Sequence, residues 1–217
     1  EENKGNIVEQ LEADTYKILD SCHDPRALDY KWDRRGLVYG HVQSGKTANY
    51  IGLINRAFDS GYRIVIVLTG ITEDLRKQTQ IRIDTGVTGK SEGVTIGIGK
   101  NPNFKALDEM LPATSIKLDL TGQDDWRDNN ISTLKKSIWV IKKNKTVLEN
   151  LILWLDKQRK NDNTEKINGV PFLIIDDEAD NASIQSLTKK EFELWETGIE
   201  ISNLDFDDLN EEQERKL

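Results

Sequence analysis

The eight residues Gly40-His41-Val42-Gln43-Ser44-Gly45-Lys46-Thr47 satisfy the spacing G-x-x-x-x-G-K-[ST], in which each residue type has a task at a phosphate. Backbone amides of such a loop, with the positive end of the helix behind it, cradle phosphate oxygens, and Gly45 lets the main chain come close. Lys46 reaches toward β and γ phosphates, and the Thr47 hydroxyl suits a hard cation such as Mg²⁺. An apolar run, Leu37-Val38-Tyr39, precedes the loop, and the spacing predicts a helix over residues 46–59 behind it. The bland alternative is a glycine-rich strand-to-helix turn that holds no ligand.

A second cluster, Asp176-Asp177-Glu178-Ala179-Asp180, closes the apolar run Phe172-Leu173-Ile174-Ile175. A phosphate loop needs a second ligand for its cation and a group that orients the attacking water. Asp177 is assigned to the magnesium shell and Glu178 to water activation. Asp176 is the alternative magnesium ligand, because pattern does not settle a shift of one residue. An acidic turn capping the next helix is the simpler reading, but four carboxylates crowded at one strand end repel one another unless a cation is present. Together the motifs point to a nucleoside triphosphate with Mg²⁺, with Gly40, Gln43, Ser44, Gly45, Lys46 and Thr47 binding and Lys46, Asp177 and Glu178 catalytic.

The two clusters act together only if the fold brings them to one rim. Residues 63–68 form an apolar run followed by a helical pattern over 72–83, and residues 137–141 are followed by one over 146–158. Strand-helix alternation with strands apolar on both faces predicts a mostly parallel sheet with helices on both sides. Ligands of such sheets sit at the carboxyl ends of the strands, where both clusters fall. Val8, Leu11, Thr15, Ile18 and Cys22 recur at helical spacing until Pro25, which predicts an N-terminal accessory helix. Residues 94–99 alternate like an extra strand, residues 103–111 read as a short helix, and residues 114–130 show no period. The predicted organisation is a helical extension over 1–35, the α/β domain over 36–186 and an acidic extension over 187–217.

The chain has 217 residues and a formal charge of −8, with 36% hydrophobic residues. Ten acidic and four basic residues between Thr188 and Leu217 give that stretch −6, so the body is nearly neutral and a local basic face is open. One cysteine and two histidines exclude a thiolate zinc cluster and disfavour a transition-metal enzyme. No apolar run approaches the roughly 18 residues of a membrane span, and no membrane partner is expected. The start, Glu1-Glu2-Asn3-Lys4, has neither an initiator Met nor the pattern of a secretory signal. A cytoplasmic piece of a longer protein is the expectation.

Read further, the phosphate loop is similar to motif I of superfamily 2 helicases, and Asp177-Glu178-Ala179-Asp180 after Leu173-Ile174-Ile175 to their motif II. The blocks 40–47, 66–82 (with Leu75-Arg76-Lys77-Gln78-Thr79-Gln80-Ile81-Arg82) and 174–183 together resemble the Z-one domain family, helicase-like ATPases of bacterial proteins that act with restriction-type or endonuclease systems. The resemblance covers residues 36–183. It implies a three-layer RecA-like P-loop NTPase domain, ATP with Mg²⁺ as cofactors, and DNA as the nucleic-acid partner, contacted by Arg76, Gln78 and Arg82. It also implies a second RecA-like lobe and a nuclease or defence-system partner. After Ser183 there is no S-A-T or T-A-T-P element and no arginine-bearing motif, so this lobe alone is expected to bind nucleotide and turn it over poorly. Lys142, Lys143 and Lys145 form a second basic cluster on the same rim, readable as a phosphate track or as a solvated face.

Overall fold

A computed structural model describes residues 2–27, 34–39, 45–103, 110–112, 114–117, 120, 131, 136–161, 167, 169–177 and 179. The chain divides into two compact units, Glu1–Asp177 and Glu178–Leu217. Ala179 alone of the second is described. Gly40, Gln43, Ser44, Glu178 and the acidic stretch 187–217, for which the sequence sets expectations above, lie outside the described residues.

The first unit is α/β. Four parallel strands form its sheet: β1 (Ile64–Thr69), β4 (Met110–Pro112), β5 (Lys136–Lys142) and β6 (Phe172–Asp176), in the order β4-β5-β1-β6. β1 lies between β5 and β6, pairing Ile64 with Ser137 and with Phe172. Its run Ile64-Val65-Ile66-Val67 is buried on both faces because each face carries its own core. On one face Ile64, Ile66, Trp139 and Ile141 pack with Val147, Leu151 and Trp154 of α4 (Lys145–Asn161). On the other Val65, Val67, Ile138 and Val140 meet Tyr50, Ile54 and Phe58 of α2 (Lys46–Ser60), with Ile83 and Val87. Each fully buried aliphatic side chain here contributes about 1.5–3 kcal/mol. The Trp139 and Trp154 rings lie 4.7 Å apart, and the Trp139 indole donates to Ser137 Oγ, as a buried indole N–H requires.

The N-terminal helix α1 (Glu2–Asp20) docks on α2. Arg56 lies over the Tyr16 ring, 3.7 Å from its centroid, and donates to Thr15 Oγ1. No described helix is long and apolar enough to cross a membrane.

Three expectations are corrected. Leu37-Val38-Tyr39 is not a strand: the segment has no ladder partner among the described residues, and Leu37 and Tyr39 are 85% and 82% exposed. Residues 94–99 give only β3 (Val94–Thr95), paired with β2 (Lys90–Ser91), before a 3₁₀ turn at Gly97–Lys100. Gly97 enforces that turn: a Cβ there would lie 2.1 Å from the Thr85 carbonyl oxygen. In place of a helix ending at Leu111, residues 110–112 form β4, and residues 104–109 lie outside the description.

The helix α3 (Glu73–Ile83) buries a polar face, with Arg76, Thr79 and Gln80 inside alongside Ile83. It runs into a π-turn at Asp84–Thr88. Asp84, 3% exposed, accepts from Gln80 Nε2 and Ser91 Oγ, and the Gln80 Oε1 accepts from Thr114. Burial pushes the Asp84 carboxyl above its ordinary 3.8, aided by the Glu92 charge and opposed by those hydrogen bonds. The folded state therefore holds the proton more tightly than the unfolded chain. That contribution is complete below pH 3.8 and is lost as pH rises through the folded value. Asp84→Asn keeps the shape and removes the charge. Urea titrations across pH 4–7 are expected to show a smaller fall in stability for the variant, which is at least as stable as wild type at neutral pH. A variant that is weakest at neutral pH would contradict this account.

Candidate functional site

Gly45 begins α2 with φ +79°, the left-handed conformation that favours glycine. Having no side chain, it caps none of the first-turn amides, and no acidic residue sits in that turn. Those N–H groups and the helix dipole thus favour an anion there. Lys46 is exposed at the first helical position and Thr47 follows, half-buried.

The strand ends supply the opposite charge. Because β1, β5 and β6 are parallel, Thr69, Lys142 and Asp176 finish on one rim. The Asp177 amide donates to the Leu68 carbonyl at 2.8 Å, which ties the turn after β6 to the end of β1. Lys143 reaches past β1 to donate to Asp176 Oδ1 at 2.6 Å and to the Asp177 carbonyl at 2.9 Å. Its side chain is 8% exposed, so the paired acid offsets a real desolvation cost.

Tyr50 adds a buried polar group to the start of α2. It stands one turn beyond Thr47 on the same face of α2, its ring is in the core, and its hydroxyl is buried with no hydrogen-bond partner among the described residues. Burial raises its pKa first and the Asp177 charge second, while the Thr47 and Thr79 hydroxyls and Arg82 pull it down. Those hydroxyls are near enough to act on it without meeting hydrogen-bond geometry. Arg82 Nη1 donates to Thr47 Oγ1 at 3.4 Å, and the charges of Asp177 and Arg82 are both felt at the Tyr50 hydroxyl. The sequence reading missed Tyr50, although its i, i+3 relation to Thr47 was a visible signal.

The basic residues divide. Arg76 is wholly buried: its guanidinium donates to Glu73 Oε1 and to the carbonyls of Ser115 and Ile116, which corrects its expected contact with a nucleic-acid backbone. Lys142 pairs with Glu73 at 3.2 Å, and Lys143 with Asp176, so neither is an open phosphate contact. Burial alone would raise the Glu73 carboxyl, but hydrogen bonds from Arg76 and Lys142 more than reverse this and hold it below the ordinary range. Gln78 and Arg82 are exposed, and Lys145 is 76% exposed with a long contact to Glu149 of 3.9 Å.

Among the described residues no group of three or more His, Cys, Asp or Glu side chains could hold a metal ion. Thr47 and Asp177 nevertheless offer hard oxygen donors of the kind Mg²⁺ takes when phosphates complete its shell. Comparison with family models, curated proteins and solved structures finds no match to this chain.

Proposed function

We propose that this chain is the ATP-binding first lobe of a superfamily 2 helicase-like, nucleic-acid-dependent ATPase similar to the Z-one domain family, working beside a second lobe in a bacterial restriction or defence protein. The observation that carries the reading is the uncapped, left-handed Gly45 start of α2 with Lys46 and Thr47 in its first turn, alongside parallel strands that bring Asp176 and Asp177 to the carboxyl rim of the sheet. A parallel sheet covered by helices on both faces supports a RecA-like, three-layer arrangement.

In this reading Gly45 and the first-turn amides bind phosphate, Lys46 meets the β and γ oxygens, and Thr47 and Asp177 hold Mg²⁺. Bound Mg²⁺ would neutralise charge on the β and γ phosphates. Asp177 is assigned to the cation, with Asp176, paired with Lys143, as the alternative. Glu178, next along the chain, takes the role of orienting water.

The internal pairing of Arg76, Lys142 and Lys143 favours a second reading, a nucleotide-dependent assembly switch that tracks no strand. Calorimetry separates binding from its absence: Mg·ATP is expected to bind wild type, and Lys46→Ala is expected to weaken that at least about tenfold. Hydrolysis by the full-length protein then divides the readings. Stimulation by DNA supports the motor, and turnover indifferent to nucleic acid supports the switch.

A further inference from the structure

We infer that Arg82 is a residue of the nucleotide site, meeting the terminal phosphate of a bound nucleoside triphosphate and not the backbone of a nucleic acid. The inference rests on the nucleotide-binding reading above.

Position is the first argument. Arg82 is in the last turn of α3, yet its guanidinium lies 3.4 Å from the hydroxyl of Thr47 in the first turn of α2. The placement is held by packing below it. Asn55 Nδ2 bridges the Ile51 carbonyl of its own helix and the Gly86 carbonyl of the π-turn. Gly86 is pressed so closely on α2 that a Cβ would sit 2.9 Å from Ile51. The end of α3 is thereby fixed against the phosphate-loop helix.

Charge is the second. Arg76, Lys142 and Lys143 are each spent on a carboxylate of this chain, whereas Arg82 is exposed and forms no ion pair among the described residues. The Tyr50 hydroxyl, buried without a hydrogen-bond partner among the described residues, lies one turn beyond Thr47 on α2. A ligand that brings acceptor oxygens to Thr47 meets the Arg82 guanidinium there, and a guanidinium fork suits phosphate oxygens in particular.

Chemistry selects the phosphate. The hydroxyl of a phosphate-loop threonine and the terminal phosphate share one cation, so a guanidinium in contact with the former is within a side-chain swing of the latter. A divalent cation arriving at Thr47 repels Arg82, and the neighbouring negative charge toward which it can turn is the phosphate that arrives with the cation.

The test uses the full-length protein and two probes, Mg·ATPγS and Mg·ADP, with Arg82→Gln, Arg82→Lys and wild type compared by calorimetry. Arg82→Gln is expected to weaken Mg·ATPγS about tenfold and Mg·ADP less than about twofold, as loss of one charged phosphate contact implies. Arg82→Lys is expected to recover part of the difference, and nucleotide-free affinity for a DNA oligonucleotide is expected to stay within about twofold. Equal effects on the two nucleotides, no effect on either, or a loss confined to DNA affinity would each overturn the assignment while leaving the nucleotide reading intact. Failure of wild type to bind either nucleotide would overturn both.

Discussion

Arg76→Ala is expected to lower the unfolding free energy by about 3 kcal/mol, measured by urea denaturation, and to do so without nucleic acid present. The side chain is 0% exposed, and its removal takes a donor from three partly buried acceptors at once: Glu73 Oε1 and the carbonyls of Ser115 and Ile116. Orphaned buried acceptors cost about 1–3 kcal/mol each when water cannot reach them. Partial exposure of Glu73, at 35%, keeps the total toward the lower end. Arg76→Lys retains the charge but not the planar fork, and should recover only part of the loss. If Arg76 instead served a nucleic-acid backbone, the alanine variant would melt like wild type and lose affinity for DNA alone.

Asp177→Asn is expected to reduce Mg·ATP hydrolysis by the full-length protein about a hundredfold, whereas Asp176→Asn leaves it within about threefold. The contrast follows from the roles proposed for the two: Asp177 is assigned to the cation, whereas Asp176 is an ion-pair partner of Lys143. Asp176→Asn should register in stability instead, because it removes a counter-charge 2.6 Å from a nearly buried ammonium. With Asp176 itself 42% exposed, solvent already screens the pair, and the cost is about 1 kcal/mol. The reverse ranking of the two variants in turnover would transfer the cation to Asp176.

The sheet was largely legible because its strands are short apolar runs with no alternation. Residues 64–68 and 137–141 fall on observed strands because a chain buried on both faces must be apolar throughout, and 172–175 fall on β6, the sheet edge, where Ile174 is 59% exposed. The same rule misled at Leu37-Val38-Tyr39, where composition gives the capacity for a strand but cannot supply the neighbour that pairs with it. Arg76 was unreadable for a related reason. Arg76, Thr79, Gln80 and Ile83 follow the i, i+3, i+4, i+7 spacing of a buried stripe, but three of the four are polar. Only the placement of the Ser115 and Ile116 carbonyls turns that face inward. At the site, the loop and acidic turn were visible as types at fixed spacing, whereas the pairing of Lys143 with Asp176 depends on strand order, which no local pattern encodes.

The placement of β1 at the centre of its sheet also governs when this unit can fold. Ile64 finds its partners Ser137 and Phe172 roughly 70 and over 100 residues further along, so the central ladders of the sheet are non-local. On a ribosome the stretch Ile64–Thr69 emerges long before either flanking strand has been synthesised and must wait, apolar and unpaired. The ladder between β1 and β6 is completed only once Phe172–Asp176 has been made, so the acidic strand tip arrives with the last strand of the sheet.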